Sequence, residues 1–240
     1  MYDLTQRQIE ILKHIVKEYT DTALPVGSET LEKKYDLGVS PATIRNETAS
    51  MVKKGYLIKS HSSSGNIPST KAIKLYINEL MKEKELSVAD EVEAKENVWD
   101  LREKEAQFLR AATKKLAEKT KSLAVANTDF GDIFFAGYSN ILSMPEFYDI
   151  DVTRNLLSIL DNDSYFDTIY GRITEKCTVM LGDEFEEELF RPYSFIFSKF
   201  HTRQNHSGSI GVIGPSRMRY ESILPIVRYY GALVDDVANW

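Results

Sequence analysis

The sequence predicts an α+β protein in three parts, and three patterns support that prediction. Residues 1–81 show three helical patterns, a short pair of strands and a fourth helical pattern, which is the order of a winged helix-turn-helix. Residues 82–122 are rich in Lys and Glu and contain neither glycine nor proline, which favours a long connecting helix. Residues 123–240 mix strand and helix patterns and predict a separate α+β domain.

The composition is that of a folded protein and excludes several classes. The 240 residues are 42% hydrophobic, and the formal net charge of −6 argues against a general binder of polyanions. The single cysteine, Cys177, excludes an internal disulfide framework and fits a reducing compartment. No apolar run approaches the roughly 20 residues of a membrane helix, and residues 1–8 are too polar for a signal peptide. We therefore expect a soluble cytoplasmic protein without a membrane partner.

One short stretch of this acidic chain is basic. Residues 1–85 carry 13 Lys and Arg against 11 Asp and Glu, whereas residues 86–240 carry 17 against 25. Within residues 40–71, five basic side chains stand against Glu47 alone. Such a window predicts a local site for a polyanion, although an unevenly charged solvated surface explains the same counts.

Local capping signals place the first two helices. Thr5 and Gln8 form a capping-box pattern ahead of an amphipathic run, and Pro25 lies beyond the end of that helix. Ser28 is the expected N-cap of a short second helix over residues 29–35.

The third predicted helix carries the candidate reading surface. Ser40 is its expected N-cap, Pro41 its first residue and Gly55 its stop. Helical spacing turns Ile44 and Met51 inward. The residues predicted to face outward are Thr43, Arg45, Asn46, Ala49, Ser50 and Lys53.

This outward face has the chemistry of a major-groove contact. Arg45 can bridge O6 and N7 of guanine, and Asn46 can bridge N6 and N7 of adenine. Ser40 and the free N–H groups at the helix start suit a phosphate. An ordinary polar surface has a similar composition, so this helix alone does not decide between the two.

A predicted hairpin follows the third helix. Residues 56–61 form the first strand and residues 67–69 the return strand, which Pro68 marks as an edge. A hairpin at this place is a wing, and Thr70 is the expected cap of the helix after it. The wing donors are His61, Ser62, Ser63 and Asn66, and the cations expected to contact the nucleic-acid backbone are Lys53, Lys54 and Lys59.

The rest of the chain carries structural rather than chemical signals. Val88, Val92 and Leu116 belong to an apolar stripe along residues 82–122, which can cover its own domain or a partner chain. The predicted strands span residues 123–127, 132–137, 176–181, 193–200 and 207–213, and the predicted helices span 151–161 and 219–237.

Catalytic patterns are missing. Cys177 lies in an apolar strand pattern, which favours a structural thiol over a nucleophile. His201 and His206 lack the cysteine or carboxylate neighbours of a metal site. The glycines of residues 208–214 lack the Lys-Ser/Thr of a P-loop and fit a tightly packed strand. We therefore expect no enzyme, metal or cofactor.

Several long motifs closely resemble the HrcA family of heat-inducible transcription repressors. In this chain they read LTQRQ (4–8), PVGS (25–28), SPATIRNE (40–47), GYL (55–57), HSSSGNIPS (61–69), MPEFYDI (144–150) and GSIGVIGPSRM (208–218). The resemblance is dense over residues 4–80 and 205–235 and patchy between them.

The resemblance implies a repressor that binds double-stranded DNA at an inverted-repeat operator, the CIRCE element, upstream of chaperone operons. It also implies a homodimer controlled by heat or by the availability of the chaperonin. The domain after the winged helix is then GAF-like, with an inserted dimerising domain.

The chain departs from the family pattern in two places. It is about a hundred residues shorter than the full architecture, and it passes almost directly from residues 123–127 to 133–137, so the inserted domain is expected to be absent. Asn66 stands where a basic wing residue is expected.

Two other functions remain open at this point. The winged helix of a ligand-responsive regulator would be switched by a small molecule in the GAF-like domain, and a thermal shift with that molecule would reveal it. A protein-binding adaptor would dock a protein through its winged helix, and it would not retain DNA.

Overall fold

The computed structural model describes residues 3–60, 65–99, 105–201 and 207–238, and the architecture is α+β. The chain divides into two compact units, residues 1–82 and 83–240. The first unit contains α1 (Gln6–Thr22), α2 (Ser28–Lys34), α3 (Pro41–Lys53), β1 (Leu57–Lys59), β2 (Asn66–Pro68) and α4 (Thr70–Leu75), and a π-helical turn over Tyr76–Leu80 continues α4.

Side-chain caps begin these helices much as the sequence predicts. Thr5 and Gln8 form the expected capping box of α1, and the hydroxyl of Ser40 accepts the Thr43 N–H at the start of α3. Two caps lie one residue earlier than predicted. Gly27 precedes α2 without a side-chain bond, and Ser69 caps α4 because its hydroxyl accepts the Ala72 N–H.

The first unit is held by a core between its helices and its hairpin. The inward side chains of α1 are fully buried, as the 3.6-residue spacing predicts. Those of α2 and α3 meet them and exclude water from the centre of the unit. The largest fully buried members are Ile11, Leu12, Ile15, Leu31, Ile44 and Met51.

Within the described residues, the second unit contains six α-helices and five strands, besides three short 3-10 helices. They are α5 (Val88–Trp99), α6 (Glu105–Thr120), β3 (Leu123–Thr128), β4 (Ile133–Ala136), α7 (Tyr138–Ile141), α8 (Ile150–Leu160), α9 (Asp163–Gly171), β5 (Cys177–Leu181), β6 (Tyr193–His201), β7 (Ser207–Pro215) and α10 (Tyr220–Ala238).

The five strands form one antiparallel sheet in the order β4-β3-β7-β6-β5. In the register, Val125 faces Gly211, and Gly211 faces Phe197. A Cβ at Gly211 would lie 2.1 Å from the carbonyl oxygen of Ile196, so only glycine fits there. The glycines of β7 therefore serve close strand packing, as predicted.

Helices cover both faces of this sheet. Leu123, Phe195 and Ile213 face a core shared with α8 and α9. On the opposite face, α6 and α10 pack against β3, β6 and β7. Both faces are buried, so the strands are apolar along most of their length.

The segment before the sheet differs from the predicted connecting helix. Residues 82–87 are not helical, and the first helix of this segment begins at Val88. On α6 the predicted apolar stripe is buried at Leu116, which is fully covered. On α5 it is not, because Val88 is 76% exposed and Ala94 is the buried residue instead.

Candidate nucleic-acid interface

The inner face of α3 fixes the orientation of its outer face. Ile44 and Met51 are fully buried in the core of the first unit, and Thr48 is 5% exposed. The hydroxyl of Thr48 donates to the carbonyl oxygen of Arg45, so it needs no partner outside the helix. The three side chains hold one side of α3 against the core.

The opposite face of α3 is exposed, and three of its polar side chains have no partner among the described residues. Arg45, Asn46, Ala49 and Lys53 are all exposed. The side chains of Arg45, Asn46 and Lys53 make no hydrogen bond or ion pair with any residue that the structure describes. A guanidinium, an amide and an ammonium are therefore available to a ligand at a fixed spacing along one helix.

Ser40 and Thr43 lie at the N-terminal end of this face. Their hydroxyls are 3.0 Å apart, and the Ser40 hydroxyl also accepts the Thr43 N–H at 3.2 Å. Both side chains are thus committed to starting the helix, and their remaining hydrogen-bonding capacity is at the surface. The positive end of the helix dipole lies at the same place.

Gln8 connects α1 to α3. It is 4% exposed. Its Nε2 donates to Oε2 of Glu47 at 2.9 Å and to the hydroxyl of Ser50 at 3.3 Å. Its Oε1 accepts from the N–H of Thr5. The sequence identified Gln8 as a cap, and only the fold reveals that the same amide also holds α3.

Lys54 differs from its neighbour Lys53. Its Nζ donates to Oε1 of Gln8 at 3.1 Å and to the backbone oxygen of Asp3. The ammonium is therefore half-buried and bound within the first unit. Of these two lysines, Lys53 is the one whose charge is free to meet a phosphate.

The hairpin brings two more of the predicted residues together. Lys59 on β1 lies opposite Asn66 on β2. The backbone of Asn66 also pairs with Val26 through two hydrogen bonds of 2.9 and 3.0 Å. A Cβ at Gly65 would lie 2.8 Å from the backbone of Pro25, so glycine permits this approach. His61, Ser62 and Ser63 lie outside the described residues.

The second unit has no arrangement typical of catalysis in its described part. Cys177 lies on the edge strand β5, and burial raises the pKa of its thiol to about 11. Within the described ranges, no three His, Cys, Asp or Glu side chains are grouped to hold a metal ion. No helix among the described residues is long and apolar enough to cross a membrane.

Comparison with known proteins decides the family. A sequence model described as the HrcA protein C-terminal domain matches residues 46–224. The chain belongs to the HrcA family. The match includes most of α3 and all five strands of the large sheet, so both units take part in it.

Two curated relatives named heat-inducible transcription repressor HrcA align along nearly their whole length. The protein from Desulforudis audaxviator is 25% identical over 328 residues, covering 94% of this chain and 95% of the relative. The protein from Clostridioides difficile is 26% identical over 336 residues, covering 97% and 99%. Both alignments are longer than 240 residues, so this HrcA chain is shorter than these relatives within the aligned region.

A solved structure shows the same fold. The crystal structure of a protein described only as hypothetical superposes with a TM-score of 0.78 and covers 98% of each chain. Its sequence is 16% identical to this HrcA chain, so the likeness concerns the fold alone.

Proposed function

We propose that this HrcA family member represses chaperone operons by binding an inverted-repeat operator of the CIRCE type as a homodimer, and that heat stress releases it. The observation that carries the proposal is the outer face of α3. There Arg45, Asn46 and Lys53 are exposed and unpartnered among the described residues, while the opposite face is fixed in the core.

In this proposal the helices and the hairpin of the first unit act as a winged helix-turn-helix. The second helix of the motif is α3, which enters the major groove, and α2 precedes it. The hairpin β1–β2 is the wing, with Lys59 and Asn66 near the DNA backbone. His61, Ser62 and Ser63 remain DNA contacts in the proposal on the basis of their residue types alone.

Within this interface the residues divide by role. Arg45 and Asn46 read base edges because their forked groups can form paired hydrogen bonds with guanine and adenine. Thr43 contributes to base reading beside them, whereas Ser40 and Lys53 contact phosphates, which positions the helix without selecting the sequence. Lys54 contributes mainly through its bond to Gln8, since its ammonium is already partnered.

A dimer follows from the symmetry of the operator. One recognition helix covers one half-site, and half-sites one turn of DNA apart lie about 34 Å from each other. Two subunits therefore have to hold two α3 helices at that spacing. We assign the second unit, as a GAF-like domain, to this task and to sensing.

Release on heat requires the second unit to lose its fixed structure. The segment that begins this unit is held largely by polar contacts. Arg228 pairs with Glu83 at 2.7 Å, and the Lys84 N–H donates to the Glu221 carbonyl oxygen at 2.8 Å. If the dimer keeps its operator affinity after this unit has melted, heat release by this route is wrong.

Binding of the full-length protein to a CIRCE duplex and to a scrambled duplex of the same composition tests the proposal. Fluorescence anisotropy over a salt series gives affinity, selectivity and the number of phosphate contacts. We expect selective binding with a steep salt dependence. Weak and equal binding to both duplexes would refute the repressor assignment.

A further inference from the structure

The second unit contains a cavity of about 210 Å³, which residues 84–86 at the start of the unit help to line. This space is large enough for a small organic molecule. Residues 84–86 and Asp90 form one side, Lys119 of α6 contributes to the wall, and Ser222, Ile226 and Tyr230 of α10 complete it.

The cations of this cavity are already neutralised. Lys119 donates to Asp90 at 2.7 Å and to Glu93 at 2.6 Å. Lys84 lies 3.4 Å from a carboxylate oxygen of Glu221. Glu85, in contrast, forms no ion pair within the part of the chain that the structure describes. An anionic ligand would therefore find no free cation, whereas a cationic ligand would find a free carboxylate.

The remaining wall is mostly apolar. Leu86 and Ile226 offer aliphatic surface, and Tyr230 contributes to the wall from α10. The Tyr230 hydroxyl is buried and has no hydrogen-bond partner among the described residues. Aromatic rings also attract cations.

We propose that this cavity binds a small primary amine with an apolar body. The ammonium pairs with Glu85, and the apolar body contacts Leu86 and Ile226. The ligand then touches both residues 84–86 and α10, so it fastens the start of the unit to the helix behind it. The binding step does not depend on the proposed operator binding.

The test uses three probes of similar shape and different charge. Calorimetric titration of the full chain at neutral pH compares 2-phenylethylamine, 2-phenylethanol and 3-phenylpropionate. Each titration is repeated with Glu85→Gln and with the control Glu96→Gln, which changes an exposed carboxylate of α5 outside the cavity wall. Hydrogen exchange of residues 84–90 with and without the amine locates the bound probe.

We expect saturable binding of the amine, weaker binding of the alcohol and no binding of the acid. Glu85→Gln should weaken the affinity for the amine by up to about fivefold, the upper end of the range for one exposed charge pair. Glu96→Gln should leave its affinity unchanged, and the amine should slow exchange in residues 84–90. Ile226→Trp, which fills the cavity, should abolish binding. Equal binding of the three probes, no saturable binding of the amine, or equal effects of both Glu variants would overturn the proposal. DNA is absent from this assay, so its failure is separate from failure of operator binding.

Discussion

Gln8 and Glu47 are joined by a hydrogen bond of 2.9 Å between Nε2 and Oε2, across 39 positions of sequence. The bond links the first turn of α1 to the middle of α3. Glu47 follows directly after Arg45 and Asn46 on the helix that carries the proposed reading surface. The start of α1 thus helps to set where that surface lies.

Replacing Gln8 should therefore destabilise the first unit. We expect Gln8→Ala to lower the free energy of unfolding by about 1–3 kcal/mol, because it leaves buried polar groups without their partner. Urea denaturation measures the change. Gln6→Ala removes an exposed amide from the same turn and should stay within about 0.5 kcal/mol of the wild type. Equal effects of the two variants would contradict the role given to Gln8.

Substitutions of Lys53 and Lys54 should have different effects, one on DNA binding and the other on the stability of the first unit. Lys53→Ala should weaken CIRCE and scrambled duplexes alike and lower the salt slope by about 1, because one phosphate contact is lost. Lys54→Ala should instead lower stability, since its ammonium is bonded to Gln8. Lys17→Ala removes an exposed charge from α1 and is the control. A wild-type salt slope for Lys53→Ala would refute the phosphate contact.

Arg217 and Glu146 join two of the family motifs within the second unit. Nη2 of Arg217 donates to Oε2 of Glu146 at 3.0 Å, and the arginine side chain is 14% exposed. We expect Arg217→Ala to cost about 1–3 kcal/mol, because a largely buried carboxylate loses a charged partner.

The exposed pair of Arg154 and Asp151 provides the matched control for that prediction. Its side chains are 66% and 73% exposed, so Arg154→Ala should cost about 0–1 kcal/mol. Double-mutant cycles on both pairs, followed by thermal or urea unfolding, measure the two coupling energies. Similar couplings would show that burial does not strengthen the Arg217–Glu146 pair.

Cys177 should behave as a protected thiol. Burial raises its pKa to about 11, against about 8.5 for a free cysteine. The thiolate is the reactive form, so at neutral pH the native protein should react with iodoacetamide about 300-fold more slowly than the unfolded chain. The native rate should keep rising with pH towards 11. Since the chain has one cysteine, the measured rate belongs to this residue; a rate that levels off near pH 8.5 would contradict the prediction.

Much of this architecture follows from local sequence signals. The five strands of the large sheet and α10 were predictable from apolar runs, and α1 and α3 from their capping residues. Helix α9 escaped prediction because its nine residues are mostly aromatic, β-branched or short polar types with modest helix propensity. Asn162 caps it, and Phe166 and Ile169 are buried in the core, so tertiary packing stabilises the helix.

The candidate site was predictable in its residue types and less so in its partners. The outward positions of Arg45, Asn46 and Lys53 follow from helical spacing. The commitment of Lys54 to Gln8 does not, because it depends on how α1 packs against α3. The exposure of Val88 likewise depends on which side of α5 packs against the rest of its unit. Helical spacing predicted that Val88 lies on the buried side, and that prediction was wrong.

The most direct measurement is the ratio of CIRCE to scrambled-duplex affinity for Arg45→Ala, with Lys17→Ala as the charge-matched control. The account predicts that Arg45→Ala reduces this ratio by about fivefold or more, since a bidentate base contact supplies about 1–3 kcal/mol of discrimination. Lys17→Ala should keep the wild-type ratio. An unchanged ratio for Arg45→Ala, with both duplexes weakened equally, would contradict the claim that the exposed face of α3 reads the operator sequence.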